Sequence, residues 1–77
     1  MLPTQCKMSR SALGWGVREL ATRAKIPVET VVRFENGEQL RERTIDALRK
    51  ALEKGGVVLI AENGGGPGVR LKKRGKR

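Results

Sequence analysis

The 77-residue sequence contains no histidine and no tyrosine, a single cysteine at Cys6, and only two aromatic side chains, Trp15 and Phe34. Without histidine, neither a His/Cys metal cluster, a Cys–His pair nor a Ser–His–Asp set can be assembled within one chain. An enzyme is therefore not expected, nor a metal or other cofactor. One cysteine allows no internal disulfide, which suits a reducing cytoplasm. No apolar run approaches the ~18 residues of a membrane span. The opening "MLPTQCKMSR" lacks the apolar stretch of a secretory signal. A cytoplasmic protein with no membrane partner is the expectation. The glycines of "AENGGGPG" are followed by no Gly-Lys-Ser/Thr and open no helix, so they read as a loop and not a phosphate cradle.

What is present is aliphatic and basic. A hydrophobic share of 38% in a chain this short supports one modest core. The formal net charge is +9, unevenly spread: "RLKKRGKR" at 70–77 carries six cations and no acid, leaving 11 basic and 8 acidic side chains in residues 1–69. A strongly basic balance favours an anionic partner, nucleic acid ahead of a membrane surface. The tail reads either as a solvated terminus or as a phosphate-contacting arm.

Four helices are predicted. The first spans Thr4–Leu13, capped by Thr4, with Leu2, Cys6, Ser9 and Leu13 on one side. Cys6 is expected to be a small buried hydrophobe. "GWG" at 14–16 ends this helix, and Trp15 is expected in the core. The second helix, Val17–Ala24, gathers Val17, Leu20, Ala21 and Ala24 on one face; "KIP" ends it, since a residue before proline avoids helical geometry. The third spans Val28–Asn36 and stops at Gly37, a left-handed cap. The fourth spans Glu42–Lys54 with a stripe of Ile45, Leu48, Ala51 and Leu52, ended by Gly55 and Gly56. Beyond it the period changes. "VVLI" at 57–60 is β-branched and "VRL" at 69–71 is a candidate return strand, so a hairpin or a single exposed strand follows. The divisions are a helical unit (1–56), a β extension (57–71) and a basic tail (72–77).

The third helix carries more valine than one face can hold. At ~100° per residue, Thr30, Val31 and Phe34 gather on one side, while Val28, Glu29, Val32, Arg33 and Asn36 gather on the other. The first group is a core face. The second reads either as a helix buried on both sides or as a surface for apolar and polar groups together. The DNA major groove is such a partner: thymine methyls accept aliphatic contact, guanine O6/N7 accepts arginine, and the cytosine amino group donates to a carboxylate. Glu29 stands at i, i+4 from Arg33, a spacing that lets the two pair.

Two helices joined by a short turn, the second bearing such a face, form a helix-turn-helix. "GWGVRELATRAKIPVETVVRFENGE" resembles the DNA-binding core of the Cro/C1 (XRE) family of bacterial and phage regulators. The resemblance rests on "ELA" at 19–21, Ile26 after the turn and "VVRFENG" at 31–37, and covers roughly residues 6–54. It implies a mainly α, four-to-five-helix domain with a short C-terminal strand or hairpin, as in the family's very short members. It implies a positioning helix at 17–24 and a recognition helix at 28–36, with Val28, Glu29, Val32 and Arg33 facing bases. Asn36, Gly37, Arg41 and Arg43, with Arg18 and Arg23 on the positioning helix, are the expected phosphate contacts. Glu35 is implied to be structural, paired with Arg10. The chain departs from the family in having Lys25 where the turn usually has glycine, Val17 where glutamine is common, and Pro27 where a serine or threonine cap is usual.

The expected function is therefore a sequence-specific regulator, a repressor bound to double-stranded operator DNA and nucleoid-associated when so bound. A homodimer is expected, with Val57, Val58, Leu59 and Ile60 as the dimerising strand; an intrachain hairpin is the competing reading. The alternatives are an antitoxin or other module that binds a protein partner, and a non-specific nucleic-acid-coating protein driven by the tail. A small-molecule ligand is not expected.

Overall fold

The computed structural model describes residues 1–61 and 64–72; the basic tail beyond Lys72 and two residues of the glycine-rich turn lie outside the described residues. The elements are α1 (Pro3–Leu13), α2 (Val17–Ala24), α3 (Val28–Glu35), α4 (Glu42–Lys54), β1 (Val57–Ile60) and β2 (Gly68–Leu71). The described residues form a mainly α domain of four helices completed by an antiparallel hairpin.

α1 starts one residue earlier than its sequence suggests. Pro3 takes the first helical position, where its missing N–H costs nothing. The cap is not Thr4: the Leu2 amide donates to Gln5 Oε1 at 2.9 Å. Leu2 itself is 45% exposed and does not share the buried side with Cys6 and Ser9. α3 likewise ends one residue early, with Asn36 outside the last helical turn.

Three helices end alike. In α1 the Trp15 amide donates to the Arg10 carbonyl and Gly14 to Ser11; in α2 Ile26 donates to Ala21 and Lys25 to Thr22; in α3 Glu38 donates to Arg33 and Gly37 to Phe34. This double bond pattern requires a left-handed residue just past the helix. Gly14 and Gly37 supply it without strain, at φ 73° and 94°. Lys25 adopts it too, at φ 61°, the single non-glycine residue with positive φ among those described. The left-handed turn therefore forms without its usual glycine, at the cost of a crowded Cβ.

The core is Cys6, Leu20, Ala21, Val31, Phe34, Leu48, Leu52 and Val57. Leu13, Trp15, Ile45 and Ala51 are half-buried against it. Trp15 has two close neighbours. Arg23 sits over the ring, 4.3 Å from its centroid, and a Cβ at Gly55 would come within 2.6 Å of its Cη2 atom. Gly55 has ordinary helical torsions (φ −75°), so the close approach of the ring, not backbone freedom, requires glycine there.

β1 pairs with β2 within the chain, in the register Val57↔Leu71, Val58↔Arg70, Leu59↔Val69 and Ile60↔Gly68. The hairpin alternative thus holds over a lone exposed strand, and β1 does not depend on a second chain for its first partner. Val57 and Leu59 turn toward the core with Val69, while Val58, Ile60 and Arg70 share the other face. The hairpin packs on α1 and α4, whereas α3 packs on α2 and α1. A buried side chain fastens it: Gln5 Nε2 donates to the carbonyls of Ile60 (2.8 Å) and Gly68 (3.1 Å).

Two substitutions test these ends and contacts by thermal melting. Lys25→Gly should leave stability unchanged or raise it by up to ~1 kcal/mol, since relief of the left-handed strain exceeds glycine's added unfolded-state entropy. Gly55→Ala should lower stability by ~1–3 kcal/mol, because an added methyl forces Trp15 from its seat. A melt unchanged by Gly55→Ala would show the ring free to move.

Candidate nucleic-acid interface

α2, the turn Lys25–Pro27 and α3 make one continuous unit, seated by Leu20 and Ala21 of α2 and by Val31 and Phe34 of α3, all buried. With that face fixed inward, helical geometry turns Glu29, Val32, Arg33 and Asn36 outward, and all four are exposed, as is Gly37. Val32 is 42% exposed, a large aliphatic side chain left in water beside charged neighbours. Val28 behaves differently. It lies in the first turn of α3 and packs half-buried against the core, so one valine and not two projects fully.

The charges are arranged otherwise than their spacing suggests. Arg33 does not pair with Glu29; its nearest acid is Glu38, at 4.0 Å with both side chains more than half exposed. Pairing with Glu29 fails because the guanidinium extends toward the C-terminal end of α3, where Glu38 follows the Gly37 turn. Glu29 forms no ion pair among the described residues. Arg33 is thus an exposed cation with one loose partner.

Arg41 precedes α4 and Arg43 lies in its first turn, both exposed. Cations at a helix N-terminus oppose the helix dipole, so α4 gains nothing from them there. Arg18 is exposed in the first turn of α2 without an ion pair among the described residues. Arg23 is committed elsewhere: it bonds Glu19 at 2.7 Å and stacks on Trp15. Of the six residues expected to meet phosphates, Arg23 is the one whose side chain is already engaged within the protein.

The expected structural pair is formed. Arg10 grips Glu35 through two bonds, Nε to Oε2 at 2.7 Å and Nη2 to Oε1 at 2.8 Å. Its remaining Nη1 donates to the Trp15 carbonyl at 3.1 Å. Glu35 is only 6% exposed. Burial alone would push its carboxyl up, but the Arg10 bonds, with a hydrogen bond from Cys6, outweigh that and hold it below the usual carboxylate range. Cys6 donates its thiol to Glu35 Oε2 at 3.3 Å. Burial first, and that hydrogen bond second, push the thiol up to about 12, so it stays protonated and inert.

Two contributions are not foreseen from the sequence: Cys6 as a donor to Glu35, and Gln5 as the hairpin's fastener. The signal for Gln5 is its place beside Cys6 and one turn before Ser9, on the buried side of α1. Ser9 Oγ, fully buried, finds no hydrogen-bond partner among the described residues. No group of three or more acidic, His or Cys side chains suited to a metal occurs among the described residues, and no described helix is long and apolar enough to cross a membrane. No protein-family model matches the chain, and no curated protein does.

The ion pair has a measurable sign. Arg10→Ala leaves Glu35 buried and unpaired, a loss of ~3–5 kcal/mol, read as a lower denaturation midpoint before any change in ligand preference. Because the Glu35 carboxyl is depressed when folded, its stabilisation is present above the usual value of 4.5 and is lost as pH falls through the lower folded value. In Glu35→Gln that acid dependence should flatten. An Arg10→Ala melt matching the parent would refute the pair's role.

Proposed function

We propose that this chain is a sequence-specific double-stranded DNA-binding regulator of the Cro/C1 type, a dimeric repressor that lays α3 in the major groove. The observation that carries the reading is the outward face of α3: Glu29, Val32, Arg33 and Asn36, exposed beside one another on a helix whose opposite face is locked in the core. A valine 42% exposed is not unusual alone; it is the combination with Glu29, Arg33 and Asn36 on one face that favours the reading. A major groove offers partners: thymine methyl for Val32, guanine for Arg33 and cytosine for Glu29. The loosely held Arg33 and unpaired Glu29 support this, since neither has a strong internal bond to give up.

In this reading Arg41, Arg43, Arg18 and the Asn36–Gly37 corner meet the flanking phosphates, and Val28 contributes at the edge of the reading face. Arg23 contributes less, being held by Glu19 and Trp15. Repression by occupancy needs no further domain. β1 is bonded to β2 on one edge, and among the described residues no strand pairs with its other edge. Pairing of that edge with its two-fold mate makes the dimer and sets half-sites about one DNA turn apart. Such a protein works in the cytoplasm, on the nucleoid.

Selection of bound duplexes from a random pool at near-physiological salt tests the reading. A palindrome with half-sites ~10 base pairs apart is the expected product; absence of any enriched sequence would refute it. On the selected duplex, Arg33→Ala should cost ~1–3 kcal/mol of discrimination. Arg41→Ala and Arg43→Ala should weaken selected and random DNA alike, each flattening the salt slope by about one unit. Equal losses on both duplexes for Arg33→Ala would remove it from base reading.

A further inference from the structure

The outer face of the hairpin is built unlike a plain solvated surface. An open groove of about 450 Å³ is lined by Val58, Arg70, Leu71 and Lys72. Its apolar part is Val58, prolonged toward the turn by Ile60, 36% exposed on the same face; Leu71, paired with Val57, lines the groove from the strand end while its side chain belongs to the other face. Arg70 and Lys72 stand over it, and neither forms an ion pair among the described residues. The hairpin packs on α1 and α4, so this face is separate from α3.

We infer that this groove is a docking site for an acidic, aliphatic peptide segment of a partner protein. Charge complementarity selects the occupant. A second copy meeting this face across a two-fold axis would set Arg70 and Lys72 against their own mates, a like-charge contact. Nucleic-acid phosphates would satisfy the cations but leave Val58 and Ile60 with nothing to bury. A segment carrying Glu or Asp beside Leu, Ile or Val satisfies both, its aliphatic side chains entering the groove and its carboxylates meeting the two cations. The site uses none of the base-reading or phosphate-contacting residues; it shares Val58 and Ile60 with the proposed dimerising strand, by their side chains on the sheet face and not by the backbone edge that would pair.

The test follows backbone amide resonances of the full chain, tail intact, titrated with short synthetic peptides of alternating Glu-Leu, Glu-Ser and Lys-Leu. The Glu-Leu peptide should shift Val58, Ile60, Arg70, Leu71 and Lys72, and bind about tenfold more tightly than Glu-Ser. Val58→Asn, which leaves every charge in place, and Arg70→Ala should each remove that preference while melting normally. Equal affinity for Glu-Leu and Glu-Ser would overturn the site in favour of bare charge attraction. So would shifts confined to other residues, the same resonances moved more strongly by a random DNA duplex, or movement of Arg70, Leu71 and Lys72 with protein concentration alone, which would make the occupant a second copy, since pairing of β1 edges in the proposed dimer accounts only for Val58 and Ile60.

Discussion

The buried pair of Arg10 and Glu35 ties together the parts that everything else depends on. One guanidinium grips the last residue of α3 through two bonds and the carbonyl of Trp15 through a third. The backbone carbonyl of Arg10 meanwhile receives the Trp15 amide. A single residue, by its side chain and its carbonyl, therefore ties together the end of α1, the turn into α2 and the C-terminal end of α3. Bidentate arginine–carboxylate bonds are directional, so the pair orients as well as attracts. The orientation of α3 decides which of its residues are exposed. The proposed reading face is in this sense a consequence of an ion pair on the flank of the helix.

Around that pair, stability is spread over local devices. Three helices stop by the same capping arrangement, so each turn is short and the helices stay close. Ile26, which follows Lys25, packs half-buried against the core, and that contact helps hold the chain in the crowded conformation. At the other end of the molecule a neutral amide does comparable work. Gln5 bonds the start of α1 and both strands of the hairpin, joining residues far apart in the chain. A buried amide with its donors satisfied costs little; with them lost it is expensive.

The two surfaces that these devices leave exposed differ in kind. The α3 face mixes acid, base and valine on a rigid helix, as a reader of base edges would. The hairpin face is aliphatic with cations of one sign, better matched to an acidic chain. The hairpin is seated on α1 and α4 and α3 on α1 and α2, so the faces need not compete.

Much was legible in the sequence because it depends on near neighbours. Helix positions follow from apolar spacing, their ends from Gly14, Gly37, Gly55 and Pro27, and the inward face of α3 from Val31 and Phe34 at helical intervals. Those signals act over a few residues, so a linear reading captures them. The Arg10–Glu35 pair was reached only through family resemblance, since nothing local connects residues 25 positions apart. What only tertiary structure decided involves competition among distant partners. Arg33 turned to Glu38 and not Glu29 because the Gly37 turn brings Glu38 back beside it. Val28 packed half-buried against the core although the wheel turned it out. Arg23 was taken by Trp15 and Glu19, and β1 found its first partner in β2. In each case spacing permitted several contacts, and the folded geometry, with burial weighed against solvation, selected one.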